Sequence, residues 1–144
     1  YMSQELLNAE KHPTLKTLAQ GAIERLRTLP QPVVRVSGPL TSGGYGYEEN
    51  LRRFIVAQDK LRESGYTVFD YFEGNHDERK IIPLKLPWEE VMRHYHNPIM
   101  ATGLLKTVFV MPKWETSNGA KWEHQFATEL GLEVKEIPTD WFLA

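Results

Sequence analysis

A three-layer α/β sandwich of flavodoxin or Rossmann type, with a four- or five-stranded, mostly parallel sheet, is the fold this sequence predicts. Three observations carry that prediction. Short β-rich runs alternate with longer amphipathic stretches, which implies parallel pairing and right-handed crossovers. The run 107–111 is apolar without alternation, as suits a central strand buried on both faces. Glycine- and proline-bearing loops follow the strand-like runs, and in open parallel sheets ligands bind outside the carboxyl ends of the strands.

Residues 1–12 are polar and read as loose chain or a short helix. Residues 13–29 read as an amphipathic helix: Pro13 suits a first helical position, and Leu15, Leu18, Ala22, Ile23 and Leu26 recur at helical spacing. Pro30 and Pro32 end it. Together 1–32 form an N-terminal helical extension to a domain spanning 33–144. The first strand is 33–37, and the glycine-rich stretch 38–46 that follows excludes regular structure. A second helix covers 48–64, with Leu51, Phe54, Ile55, Gln58 and Leu61 on one face and Gly65 as its stop. The second strand is 66–71. A long polar connection, 72–87, precedes a helix over 88–105 that should break near Asn97-Pro98. The third strand is 107–111, a helix covers 118–130 and ends at Gly131, and the fourth strand is 133–137. Trp141 and Phe142 in the tail should dock on the body of the domain or on a partner.

Composition narrows the function classes. The chain has 144 residues, 41% of them apolar and 25% charged, with a net charge of −2 and no cysteine. One globular domain of ordinary size follows. Disulfides, thiolate metal sites and cysteine nucleophiles are excluded. The charge makes no case for nucleic-acid binding. No apolar run reaches the length of a bilayer span, and no signal peptide opens the chain, so a cytoplasmic protein with no membrane partner is expected.

Two segments are candidates for chemistry. In loop 38–46 the glycines allow backbone N–H groups to approach an anion, and the following helix adds its dipole. The loop lacks both the dinucleotide fingerprint and the Gly-Lys-Ser/Thr of a P-loop, and a plain surface turn explains it as well. The second segment, 111–127, has Ser117 where an N-cap belongs and Gly119 in the first helical turn, where a ligand can reach free N–H groups. A 3.6-residue period puts Gly119, Ala120, Glu123, Phe126, Ala127 and Leu130 on one face, which must pack on the sheet. Glu123 is therefore an inward carboxylate one turn from the pocket end. Burying it costs several kcal/mol unless it is paired. It is either a reactive group or half of a structural ion pair.

The string Ser117-x-Gly119-x-x-x-Glu123, followed by Ala127 and preceded by the apolar strand, resembles the nucleoside 2-deoxyribosyltransferase superfamily. Val34-Arg35-Val36-Ser37-Gly38-Pro39-Leu40-Thr41 is similar to that family's first strand and Ser/Gly loop. Trp114-Glu115-x-Ser117-x-Gly119-Ala120 resembles an uncharacterised deoxyribosyltransferase-like branch. The resemblance covers 33–137. It implies that Glu123 attacks the anomeric carbon of a nucleoside or nucleoside 5′-monophosphate. On that resemblance a glycosyl ester would form, a second base or water would resolve it, and configuration would be retained. It also implies that Ser117 and the N–H groups near Gly119 hold the 5′ oxygen or phosphate. On the same resemblance Ser37, Gly38, Leu40, Thr41, Ser42 and Gly43 would cover base and sugar and the chain would be a homodimer or larger; Trp114 is either a packing residue or near enough to stack on the base. No cofactor and no metal is expected.

The sequence departs from the family in one respect. The helix before the third strand reads Arg93-His94-Tyr95-His96-Asn97-Pro98, without the aspartate usual there, and Lys106 stands where another aspartate is common. Asp70, at the exit of the second strand, is the substitute proton donor, or else a loop-capping carboxylate. His94 and His96, two apart on a helix, face different ways and make no metal pair. His76-Asp77-Glu78 reads as a solvated loop. Two rival readings remain: a nucleotide-binding or sensing module with the same pocket and little catalysis, and a structural accessory domain with no ligand.

Overall fold

The computed structural model describes residues 3–39, 42–70 and 77–143. Ser3 opens a short helix, α1 (Gln4–Ala9), because its hydroxyl accepts the N–H of Leu6. The long helix α2 (His12–Thr28) follows with Pro13 in its first turn. Strand β1 (Val33–Ser37) is buried along its whole length. Helix α3 (Tyr47–Glu63) comes next, then β2 (Thr67–Val68), α4 (Asp77–Ile81) and a 3₁₀ turn at Ile82–Leu84. The run 88–100 is helical throughout: α5 (Trp88–Val91), a π turn at Met92–His96, and α6 (Asn97–Met100). Strand β3 (Leu105–Val110), helix α7 (Asn118–Glu129), strand β4 (Glu133–Glu136) and a 3₁₀ turn at Thr139–Phe142 complete the chain.

The sheet has four strands in the order β2-β1-β3-β4, every neighbour parallel. Side-chain alternation divides the core into two layers. Val33 of β1 and Val108 and Val110 of β3 pack with α2, the run 88–100 and Ala127 of α7. Val34, Val36, Val68, Phe109 and Met111 pack on the other face with Phe54, Ala57 and Leu61 of α3 and with Phe142. A sheet with helices on both faces is the sandwich the alternation of runs implies. Helix α2 supplies Leu15, Leu18, Ala19, Ala22, Ile23 and Leu26 to the first layer, each large one contributing about 1.5–3 kcal/mol by burial. The N-terminal extension thus shares the core of the domain.

Several local expectations are corrected. Strand β2 is shorter than 66–71, although the Phe69 N–H still donates to the Val34 carbonyl at 2.8 Å; residue 71 lies outside the described residues. Strand β3 begins two residues earlier than expected, at Leu105. The helix does not break at Asn97-Pro98. Proline lacks an N–H and its ring crowds the carbonyl one turn back, and the π turn just before it widens the helix there. Ile55 is 38% exposed rather than core. Asp77 is buried, accepting from Arg25 at 2.9 Å and from the Tyr95 hydroxyl at 2.6 Å, so that part of the expected solvated loop is an anchored helix start. Phe142 is buried and Trp141 packs against the same cluster, so the tail docks on its own body. Among the described residues no helix is long and apolar enough to cross a membrane.

Candidate functional site

The order β2-β1-β3-β4 reverses direction between β1 and β3. Loops leaving those two strands diverge, and a crevice opens at their carboxyl ends. A cavity of about 520 Å³ lies there, lined among others by Arg35, Ser37, Gly38, Ser42, Trp88, His96, Ser117, Gly119 and Glu123. That size suits a small organic ligand.

Each wall has a local cause. Ser37 ends β1, and Gly38 follows where the chain passes close over Met111; a Cβ at Gly38 would come within 2.5 Å of the Met111 side chain. Asn50 of α3 donates to the Ser42 carbonyl at 3.0 Å, which ties the loop after β1 to its helix. Across the mouth, the Thr116 and Ser42 hydroxyls lie 3.1 Å apart, joining the two loops. Ser117 caps α7, its hydroxyl oxygen accepting the Ala120 N–H at 3.1 Å. The cap uses an acceptor lone pair and leaves the hydroxyl proton available to a ligand. The N–H groups of Asn118 and Gly119 have no carbonyl partner within the helix, and this end of α7 carries the positive pole of its dipole.

Glu123 lines the cavity and is 8% exposed. Arg35, on the β1 face turned toward α7, is 4% exposed and places its Nε 3.5 Å from a Glu123 carboxylate oxygen. Burial pushes the Glu123 carboxyl above the usual carboxylate range, while Arg35 and then the Ser37 hydroxyl pull it back. His96 is fully buried beside them. Burial, with Arg35 adding to it, holds its imidazole well below the ordinary value, so it is neutral at physiological pH. Trp88 closes one side, its indole against Gly119 and 5.5 Å from the His96 ring.

Of the residues singled out from sequence, Ser37, Gly38, Ser42, Ser117, Gly119 and Glu123 meet at this cavity. Leu40 and Thr41 lie outside the described residues. Gly43 turns with φ 87° beside Thr116 and Lys113 and is not part of the cavity wall. Trp114 stacks on His124, 4.3 Å between ring centres and 2° from parallel, and it lines a separate groove with Glu136. Asp70 accepts from Arg62 at 2.9 Å and is likewise off the cavity. Asn97 accepts from the Trp122 indole at 3.3 Å, and its neighbour His96 reaches the cavity instead. Gly119 admits the Trp88 ring rather than open space: a Cβ there would come within 2.5 Å of the indole.

Sequence reasoning missed Arg35, His96 and Trp88. It also missed a second constellation, His12, Glu90 and His94, whose ligand atoms lie within 4.8 Å of one another. An arginine inside an apolar strand run is a readable signal, because arginine is almost never fully buried unless paired. His12 carries no such signal, since only the docking of α2 on the run 88–100 brings it in.

Residues 32–136 match the model of a family described as Domain of unknown function (DUF4406). The match spans more than half of the chain, and the chain belongs to that family. Comparison with curated proteins and with solved structures gives no match.

Proposed function

We propose that this family member cleaves or transfers at the N-glycosidic bond of a nucleoside or nucleoside 5′-monophosphate, with Glu123 as nucleophile. One observation carries the reading: a buried carboxylate faces a ligand-sized cavity at the sheet's switch point, one helical turn from an N-terminus suited to an anion. A merely structural Arg35–Glu123 pair needs no cavity beside it. The resemblance of the Ser117-x-Gly119-x-x-x-Glu123 string to nucleoside 2-deoxyribosyltransferases supports the same chemistry.

In this mechanism a Glu123 oxygen attacks the anomeric carbon while the C–N bond breaks and its electron pair leaves with the base. The base takes up a proton from solvent water at the open cavity mouth, leaving hydroxide to the bulk, and a glycosyl ester remains on Glu123. Water or a second base then displaces the ester from the opposite face, so the two inversions give retention. Arg35 favours the ionised nucleophile against the burial that raises its pKa. His96, neutral in the cavity wall, holds the leaving base by a hydrogen bond. Ser117 and the first-turn N–H groups of α7 take the 5′ oxygen or phosphate. The reaction uses no cofactor. Its family resemblance implies a homo-oligomer, for which the exposed Ile82 and Trp88 beside the cavity mouth supply apolar surface.

A second reading, a nucleotide-binding module with little catalysis, is favoured by one feature. Among the described residues Glu123 is the only carboxylate lining the cavity, so no acid stands ready to protonate the base. Incubation with a panel of nucleosides and 5′-monophosphates, read for free base by chromatography and for binding by calorimetry, decides. Free base supports the enzyme. Binding without base supports the module, and neither overturns both.

A further inference from the structure

The structure assigns a second site, away from the cavity: we propose that His12, Glu90 and His94 bind a divalent transition-metal ion, zinc by preference, and so clasp α2 to the run 88–100. His12 is the first residue of α2, whereas Glu90 lies in α5 and His94 in the π turn that follows. The two imidazoles stack with centres 3.9 Å apart and 23° between planes. Both Nε2 atoms lie close to the same Glu90 oxygen, His12 at 2.8 Å and His94 at 3.3 Å.

This is not an ordinary hydrogen-bonded cluster. His12 Nε2 and that Glu90 oxygen are shut off from solvent, yet neither makes a hydrogen bond of acceptable geometry. Two donor atoms held so close and out of line suit a third body between them. Zinc bonds of about 2.0–2.1 Å at tetrahedral angles place ligand atoms about 3.3 Å apart. The His94 contact already has that spacing, and the His12 contact reaches it by a small opening of side chains that are about one-fifth exposed. Two imidazoles and one carboxylate are a donor set that suits zinc, whereas magnesium and calcium want oxygen alone. Three ligands leave a fourth position for water. Burial, then the neighbouring His12, with smaller effects from Lys16 and Arg93, hold the His94 imidazole below its ordinary value against the pull of Glu90, and a neutral imidazole is the form that binds a metal.

The site would tie the N-terminal helix, which lies outside the matched family span, to the helical run that carries Trp88 and His96 to the cavity. It does not rest on the proposed glycosidic chemistry. The test is titration of Zn²⁺ into the chelator-treated full chain by calorimetry, with Co²⁺ followed by its visible absorption. One ion per chain is expected, with tetrahedral Co²⁺ bands and a melting temperature raised by several degrees in excess zinc. His12→Gln, Glu90→Gln and His94→Gln should each weaken binding about a hundredfold or more and abolish the melting shift. Circular dichroism without metal identifies the variants that fold, and one folded variant suffices. His124→Ala should bind as the parent does. No binding by the parent at high micromolar zinc overturns the proposal, as does undiminished binding by the folded variants.

Discussion

Glu123→Gln separates chemistry from stability more cleanly than any other substitution, because glutamine keeps the shape and removes the charge. Breaking a tight buried ion pair from one side costs about 3–5 kcal/mol. The Arg35–Glu123 contact, at 3.5 Å, is longer than the 2.7–2.9 Å of a charge-assisted hydrogen bond, and the variant is also relieved of a desolvated carboxylate. The expected cost is therefore about 1–2 kcal/mol, a fall in melting temperature of about 3–6 °C for a domain of this size. Base release should fall about a thousandfold or more, roughly 4 kcal/mol of barrier, because the covalent route is gone. Differential scanning calorimetry and chromatographic base release on the same preparation give both numbers. The pH dependence adds a check. Burial raises the Glu123 pKa, so base release should climb as pH rises through that raised value and the nucleophile ionises. Stability runs the other way. The folded chain holds this proton where the unfolded chain has lost it, so the contribution is full below the ordinary carboxylate pKa and is lost as pH rises through the raised one. Glu123→Gln should lack both slopes. Parent-like turnover in Glu123→Gln refutes the nucleophile assignment; a melting temperature lowered by 15 °C or so, roughly the scale of a fully broken buried pair, refutes the estimate of a loose one.

Gly38→Ala should cost about 1–3 kcal/mol, read as a lower melting temperature, because its Cβ would sit 2.9 Å from the Met111 Cβ, an atom that cannot swing away. Gly119→Ala meets the indole of Trp88, whose side chain is 40% exposed and has room to move. Gly119 lies in the first turn of α7, where the mid-helix advantage of alanine is not realised in full, so melting should fall modestly while KM rises severalfold; a large fall in melting temperature would show Trp88 to be rigidly held. Light scattering at micromolar concentration should report a dimer or larger, and a monomer would remove the assembly drawn from the resemblance.

Most of the fold was legible because the elements that matter are locally self-consistent. Val33–Ser37 and the apolar run of β3 are β-rich and bounded by glycine or proline, and α2, α3 and α7 show their inward stripes at helical spacing. Errors fell where tertiary context overrides a local signal. Pro98 reads as a helix break, but a widened turn accommodates it. Asp77 reads as solvated loop chemistry, but Arg25 and Tyr95, both distant in sequence, hold it in the interior. Ile55 lies at the margin of the α3 stripe, where one residue of helical rotation decides between core and solvent.

The site was legible in proportion to how much of it one element supplies. Ser117, Gly119 and Glu123 share one helix, and a 3.6-residue projection places them together without knowledge of any other part of the chain. Arg35 needed one further step. Strand alternation puts it on the face opposite Val34 and Val36, a buried guanidinium requires a partner, and the inward stripe of α7 offers Glu123 as its carboxylate. Trp88 and His96 needed the docking of the run 88–100 on the rest of the fold, which no periodicity supplies and which turns His96 to the cavity while His94 meets His12. Trp114 and Trp88 illustrate the limit. Both are tryptophans near the predicted pocket in chain order, and only the packing of α5 against the bare first turn of α7 decides that Trp88 forms the wall while Trp114 stacks on His124. Trp88 is therefore the tryptophan that lines the cavity, beside Phe54, and if the proposed base stacks there, Trp88→Ala rather than Trp114→Ala should weaken its binding in calorimetry.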